Sequence, residues 1–465
     1  MRSFTLQHVA SITGGTLFGD ADIVITGVST DTRTIQHGDL FCAIVGERVD
    51  AHDLISEAYE RGAVAVLVSR VVAGSGVVVP LSPGLDPVIV ALGHIARVQR
   101  ETMSGTTFIG VTGSSGKTST KDLIGQVLAR HGATHAPAGS PNNELGLPLT
   151  ILQAPDDTQF MVLEMGMRGA GHIEYLCDIA RPTIGVVTNV GKAHIGELGS
   201  LAAIRDAKAE LVTSLPGDGI AILNCDDANV LSMCDMTDAQ VLTFGFHADS
   251  DVRAVDHMQQ LDGTSTFELD YKGERRTVVL PLVGKHSVSN ALAGAATGLS
   301  LGMSVDDVVS ALHSLTTVSK WRMEIRELKN GITVINDAYN ANPDSMSAAL
   351  SALQSMSHSR RSWAVLGVMR ELGDESHAEH LALGRSTRDF DVDNVVVVGA
   401  DAQAIYTGAL EAGQVKAVWL PDIQIAADYI VSEVTPTDIV LFKASRSAGL
   451  EQLVHIVQDR LGEDT

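Results

Sequence analysis

Apolar residues along this chain fall into short, mostly β-branched runs separated by stretches of helical spacing. Over the first hundred positions, runs at 23–25, 40–45 and 64–68 predict strands, and 54–61 carries a helical pattern closed by Gly62. Gly74, Gly76, Pro80, Pro83, Gly84 and Pro87 punctuate the next stretch before a further short strand and helix, which together predict a small α/β domain. A second unit opens near Thr106 with a buried-strand pattern at 108–111. A glycine turn follows, then a helix with Leu123, Ile124, Val127 and Leu128 on one face. Strands at 160–163, 184–188 and 220–223 alternate with helical segments, which predicts a mainly parallel sheet covered on both faces. Between 241 and 282 the content of Thr, Val and Phe rises, and added strands are expected. A third unit starts near Ser319, where runs at 332–335, 363–366, 395–398 and 439–442 are spaced as in an open, Rossmann-like sheet. The expected fold is α/β in three domains, at 1–104, 105–318 and 319–465.

Charge narrows the partners. The 465 residues include 33 Lys plus Arg against 56 Asp plus Glu, a net charge of −23. Such a surface repels nucleic acid and anionic lipid. It repels free nucleotides as well, so a nucleotide site has to be built locally from backbone N–H groups, a few cations and metal ions. Cys42, Cys177, Cys225 and Cys234 are widely spaced and form no C-x-x-C pair, which fits a reducing, cytoplasmic compartment. The first twenty positions lack the continuous apolar core of a signal peptide. Positions 286–305 contain no charged residue and repeat glycine at 294, 298 and 302, as membrane helix pairs do. Ser287, Ser289, Asn290, Thr297 and Ser300 would place polar groups in lipid, so no membrane insertion is expected, and a helix packed closely through its glycine side is.

The chemistry centres on Thr112-Gly113-Ser114-Ser115-Gly116-Lys117-Thr118-Ser119, placed between a strand and a helix. Small residues there let backbone N–H groups curl around phosphate at a helix N-terminus. Lys117 supplies a point charge for the β- and γ-phosphates, and the Thr118 hydroxyl can ligate Mg²⁺. The commoner form of the loop has Gly five positions before Gly116, where this chain has Val111. Downstream, Glu164 ends a strand and reads either as a metal ligand or as a capping acid. His194, in Thr188-Asn189-Val190-Gly191-Lys192-Ala193-His194, reads either as a surface residue or as a ligand for a second metal. Lys208 by itself reads as a solvated helix lysine. No Asn-Lys-x-Asp occurs, which argues against a switch GTPase.

Taken together these residues resemble the Mur ligase family over nearly the whole chain. Ser29-Thr30-Asp31-Thr32-Arg33, Gly38-Asp39-Leu40-Phe41 and Asp50-Ala51-His52 are similar to the family's UDP-sugar-binding domain. Asn142-Asn143-Glu144-Leu145-Gly146 and Asn336-Asp337-Ala338-Tyr339-Asn340-Ala341-Asn342-Pro343 resemble signatures of the member that adds D-alanyl-D-alanine to UDP-N-acetylmuramoyl-tripeptide. Lys443-Ala444-Ser445-Arg446-Ser447 resembles its C-terminal motif, with Ala444 where Gly is usual. The resemblance implies a central P-loop ATPase-like domain binding ATP with two Mg²⁺ ions. It implies that Lys117 binds phosphates and that Thr118 and Glu164 hold one magnesium, with His194 helping to hold the second. Lys208 falls where the family carries a carbamylated lysine. His286 and Asn290 match a His-x-x-x-Asn element that places Asn290 near adenine. Arg322, in Trp321-Arg322 where a Gly-Arg pair is common, would reach phosphate from the third domain, and Asp337 and Asn340 would meet the nucleotide from that side. Ser29, Thr30, Asp31, Arg33, Asn142, Asn143, Lys443, Ser445 and Arg446 are implied on the substrate side.

The implied reaction is amide formation through an acyl phosphate, with UDP-N-acetylmuramoyl-tripeptide and D-alanyl-D-alanine as partners and a monomer expected. Hydroxide is a poor leaving group, and transfer of the γ-phosphoryl group replaces it with phosphate. Two rivals stay open at this stage: a sister or folylpolyglutamate-type ligase, and a non-enzymatic P-loop ATP-binding regulator. The 339–342 segment argues against the first, whose comparable segments usually carry a His.

Overall fold

Apolar runs buried on both faces assemble into parallel sheets flanked by helices. The computed structural model describes residues 1–193, 195–260, 263–358 and 360–462. Near the N-terminus, Gly27–Ser29, Asp39–Cys42, Ala65–Val68 and Gly76–Val78 pair in parallel, and Thr16–Phe18 adds an antiparallel edge. The expected strand at 23–25 is outside this sheet: Val24–Ile25 pairs with Phe4–Thr5 in a separate two-stranded ribbon.

The central sheet has nine strands. Thr107–Thr112 lies between Ile184–Val187 and Phe160–Glu164, all parallel, with Glu164 opposite Val111. Ile220–Asn224, Gln240–Gly245 and Val252–Gln259 extend it in the same sense, and Ser265–Tyr271 and Glu274–Leu280 finish it antiparallel. The added strands expected between 241 and 282 are therefore present. Helix Lys285–Ser300 lies on helix Lys117–Leu128, and a Cβ built on Gly298 would approach Val127 Cγ1 at 3.1 Å. Gly302 is not part of that face, because it follows the helix end in a turn. Among the described residues no helix is long and apolar enough to cross a membrane.

The third sheet has six strands, in the order Glu324–Glu327, Thr333–Asp337, Ile439–Lys443, Ser362–Leu366, Asn394–Val398 and Ala417–Leu420. The first is antiparallel and the rest are parallel. In both larger sheets the chain reverses its direction of travel across the sheet beside a central strand. Ligands bind beyond the carboxyl ends of strands at such a switch point. These ends carry Thr112 and Glu164 in one sheet and Asp337 and Lys443 in the other.

The C-terminal core contains a buried ionic knot around Asp438. The Asp438 carboxylate, 2% exposed, accepts from Arg361 Nη2 at 2.6 Å, Trp363 Nε1 at 3.0 Å and the Thr435 N–H at 2.9 Å. Asp438→Ala leaves those donors unpaired and is expected to cost about 3 kcal/mol, the low end for a broken buried pair because Arg361 is partly solvated. All three tryptophans, Trp321, Trp363 and Trp419, lie in this part of the chain, so intrinsic fluorescence follows its unfolding selectively. An unchanged denaturant midpoint by fluorescence would show that the knot contributes nothing.

Candidate active site

The phosphate loop begins where strand Thr107–Thr112 ends. Val111 is an interior strand residue paired with both neighbours, so the loop starts later than in the commoner form, at Gly113. Gly116 takes φ +77°, and a Cβ there would lie 2.8 Å from Asn290 Oδ1, so both backbone and space require glycine. Lys117 opens the helix and folds back, its Nζ donating to Gly113 O at 2.6 Å. Burial is the largest influence on its ammonium and lowers its pKa below the ordinary lysine value, while the charge of Glu164 opposes that shift. The second loop at this sheet edge braces the first. Asn189 Oδ1 accepts from the Ser115 N–H at 2.8 Å, and Thr188 Oγ1 donates to Ser115 O at 2.8 Å.

Glu164 is 2% exposed and gathers three neutral donors. Thr118 Oγ1 reaches Oε2 at 2.7 Å, while Ser140 Oγ and Asn142 Nδ2 reach Oε1 at 2.6 and 2.7 Å. Ser140 is set by Lys121, whose buried ammonium pairs with Asp122 at 2.8 Å and donates to the backbone oxygens of Pro137 and Gly139. Among the described residues no three His, Cys, Asp or Glu side chains converge as a metal cage. One carboxylate beside one hydroxyl nevertheless suits Mg²⁺, which takes one or two carboxylates and completes its shell with water and substrate phosphates.

The opposite wall comes from the C-terminal domain. Arg322 Nη2 donates to Thr118 Oγ1 at 2.8 Å, and its Nε is buried with no partner among the described residues, a donor left over beside the loop. The backbone around it is strained. Trp321 and Met323, both non-glycine, take φ of +60° and +48°. Contacts hold the segment there: the Arg446 guanidinium lies 4.2 Å from the Trp321 ring centroid, Arg322 lies 4.1 Å from that of Tyr339, and the Met323 N–H donates to Asp337 Oδ1 at 3.1 Å. Lys443 Nζ meets Asp337 Oδ2 at 2.6 Å and Asn340 O at 3.0 Å. Ala444 is fully buried without a left-handed backbone, so its Cβ is tolerated where Gly is usual.

Between the two walls lies a cleft of about 730 Å³. It brings together Ser114, Ser115, Gly116, Lys117, Thr118, Ser119, Asn142, Asn143, Glu164, Asn290, Arg322, Asp337, Asn340 and Lys443. Thr112, the last strand residue, and Gly113, the first of the loop, do not line it. Ser29, Thr30, Asp31 and Arg33 sit apart in the N-terminal domain, where Arg33 pairs with Asp31 at 2.6 Å and Ser29 Oγ donates to Asp31 O. Ser445 faces inward, its Oγ accepting from the Arg370 N–H at 2.9 Å, and Arg446 pairs with Glu451 at 2.7 Å. Lys208 is not a solvated lysine: it is 1% exposed, and burial, reinforced by Lys117, moves its pKa well below the ordinary value. His194 lies outside the described residues. Ser140, Lys121 and Asp122 gave no signal in the sequence, whereas Asn189 and Asn342 stood inside motifs already singled out.

Comparison with known proteins matches this architecture. Family models described as the Mur ligase family catalytic domain, the Mur ligase middle domain and the Mur ligase glutamate ligase domain match residues 24–92, 111–298 and 321–446. The UDP-N-acetylmuramoyl-tripeptide–D-alanyl-D-alanine ligase of Mycobacterium tuberculosis is 40% identical, over 97% of this chain and 96% of its own. A crystal structure of MurF from Acinetobacter baumannii superposes with a TM-score of 0.89 at 30% identity, covering 99% of both chains. MurF from Thermotoga maritima, solved in complex with ADP, gives 0.82 at 30% identity, over 94% of this chain and 97% of that one. With matches over all three regions and a relative at this identity along nearly its full length, the chain belongs to the Mur ligase family.

Proposed function

We propose that the chain joins the amine of D-alanyl-D-alanine to the terminal carboxylate of UDP-N-acetylmuramoyl-tripeptide, converting ATP to ADP and phosphate, in the synthesis of peptidoglycan precursor. The observation that carries the reading is the meeting of Lys117, Thr118 and Glu164 with Arg322 from another domain. Such a junction aligns a triphosphate with a substrate brought by domain closure. The full-length likeness to ligases of that name supports the choice of substrates.

The carboxylate of the tripeptide takes the γ-phosphoryl group, forming an acyl phosphate and ADP. The dipeptide amine then attacks the acyl carbon, and the tetrahedral adduct expels phosphate as the amide forms. Lys117 and Arg322 offset the charge on the transferring group, and pre-placed donors of this kind contribute on the order of 3 kcal/mol each. Thr118 and Glu164 would hold Mg²⁺, with His194 serving a second ion. Bound there, Mg²⁺ would supply positive charge that offsets the phosphate charge during transfer. Asn290, against Gly116, would lie at the adenine side, with Asp337 and Asn340 facing the nucleotide. Ser29, Thr30, Asp31 and Arg33 would take the UDP-sugar, and Asn142, Asn143, Lys443, Ser445 and Arg446 would serve the peptide substrates. Carbamylation of Lys208 is part of this reading, since burial lowers its pKa and so favours the uncharged amine, the form that adds CO₂. We place the enzyme in the cytoplasm, a reducing compartment that suits its four free cysteines, and read it as a monomer, because one chain lines the whole cleft.

Three outcomes are expected. Phosphate release with UDP-muramoyl-tripeptide should depend on D-alanyl-D-alanine and not on a diamino acid or glutamate; release driven by either alternative would overturn the substrate assignment. Lys117→Ala should reduce ligation by a factor of about 1,000 or more, in line with losing a main transition-state contact; near-normal turnover would refute its role. Lys208→Ala should lose activity that added short carboxylates partly restore, and full activity without them would remove the carbamate.

A further inference from the structure

Helix Pro343–Ser357 meets the central domain with its N-terminal end. Its N-cap, Asn342, donates from Nδ2 to Ser114 O of the phosphate loop at 3.4 Å. Two positions on, Asp344 Oδ2 accepts the backbone N–H of Lys192 at 3.1 Å. Lys192 belongs to the loop that braces the phosphate loop from the other side. Asn189 O accepts from the Ser114 N–H at 3.0 Å, and the Gly191 N–H donates to Ser114 Oγ at 2.8 Å. The Lys192 ammonium reaches Glu379 Oε1 at 2.6 Å, and a Cβ built on Gly196 would lie 2.5 Å from the Gly373 nitrogen. The C-terminal domain therefore grips this bracing loop at several points.

An acid in the first turn of a helix is ordinarily accounted for by the helix dipole alone. Asp344 differs in what faces it. A Cβ built on Gly191 would lie 1.8 Å from Asp344 Oδ2 and 2.8 Å from Cγ, and its three nearest atoms all belong to Asp344. Gly191 does not have a left-handed backbone, so its own conformation admits alanine. What the glycine leaves room for is the aspartate of another domain.

We infer that Asp344 is a positioning residue. While the C-terminal domain is docked, it fixes the 189–192 loop and, through Ser114 and Ser115, the phosphate loop in the arrangement used for phosphoryl transfer. The inference rests on the ligase reading above, and it names the contact by which docking of one domain completes the nucleotide site of another.

The test uses the full chain and dipeptide-dependent phosphate release. Asp344→Ala should lower kcat about tenfold while changing KM for ATP less than about twofold, since the contact exists only in the docked state and solvent weakens it. Asp344→Asn keeps an oxygen that accepts from the Lys192 N–H and should retain roughly half of wild-type kcat or more. Gly191→Ala should lose at least as much as Asp344→Ala, because its methyl displaces the carboxylate. In the Asp344→Ala background, however, Gly191→Ala should cost nothing further. Losses that multiply in the double variant, or equal losses in Asp344→Asn and Asp344→Ala, overturn the inference. Should Gly191→Ala fail to fold, the comparison of the two Asp344 variants decides it. A wild-type chain with no dipeptide-dependent release overturns the ligase reading itself, whereas multiplying losses in an active enzyme overturn only the role of Asp344.

Discussion

Two anions have to be brought together on a protein that is itself strongly anionic. The triphosphate and the carboxylate it activates repel each other and are repelled by a chain of net charge −23. The structure answers locally. Lys117 folds over the phosphate loop, Arg322 arrives from a separate domain to reach Thr118, and Glu164 presents a carboxylate held by neutral donors. No single domain supplies all of these groups, so the favourable potential at the site is assembled by docking.

This constraint explains the placement of the site better than any one motif does. The switch points of the two larger sheets face each other, and the side chains at their strand ends line the cleft between them. Lys121 and Asp122 show how much buried polarity is committed to the loops that complete it. The Lys121–Asp122 pair ties the phosphate-loop helix to Gly139 on one side and to Ser319, at the start of the C-terminal region, on the other. An ion pair so deeply enclosed is weak evidence for stability and better understood as a device that fixes geometry.

Much of this was legible in the sequence, because buried strands and phosphate loops have periodic or compositional signatures. The strands at 108–111, 160–163 and 439–442 are continuous apolar runs, and the loop around Gly116 is short and glycine-rich. Glu324–Glu327 escaped notice because all four of its residues are exposed and it follows no apolar pattern. Ser140 and Lys121 escaped because their significance lies in what they touch across the fold. Lys208 was misread from residues alone, since a helix lysine between two acids resembles a surface residue, and only its 1% exposure reveals otherwise. The Ala444 and Trp321 positions separate two kinds of departure from a family pattern: one falls where the backbone accepts a Cβ freely, the other where it does so only under strain.

That second departure has a consequence for motion. Arg322 is carried between two residues that both occupy the small left-handed basin, which steric barriers separate from the rest of backbone space. Those torsions are held by the stacking of Arg446 on Trp321 and of Arg322 on Tyr339 and by the Met323–Asp337 hydrogen bond, so the strain is sustained by the assembled site. The segment therefore gives Arg322 fewer neighbouring backbone states than an ordinary loop would, and the freedom its guanidinium keeps lies in its own side-chain torsions.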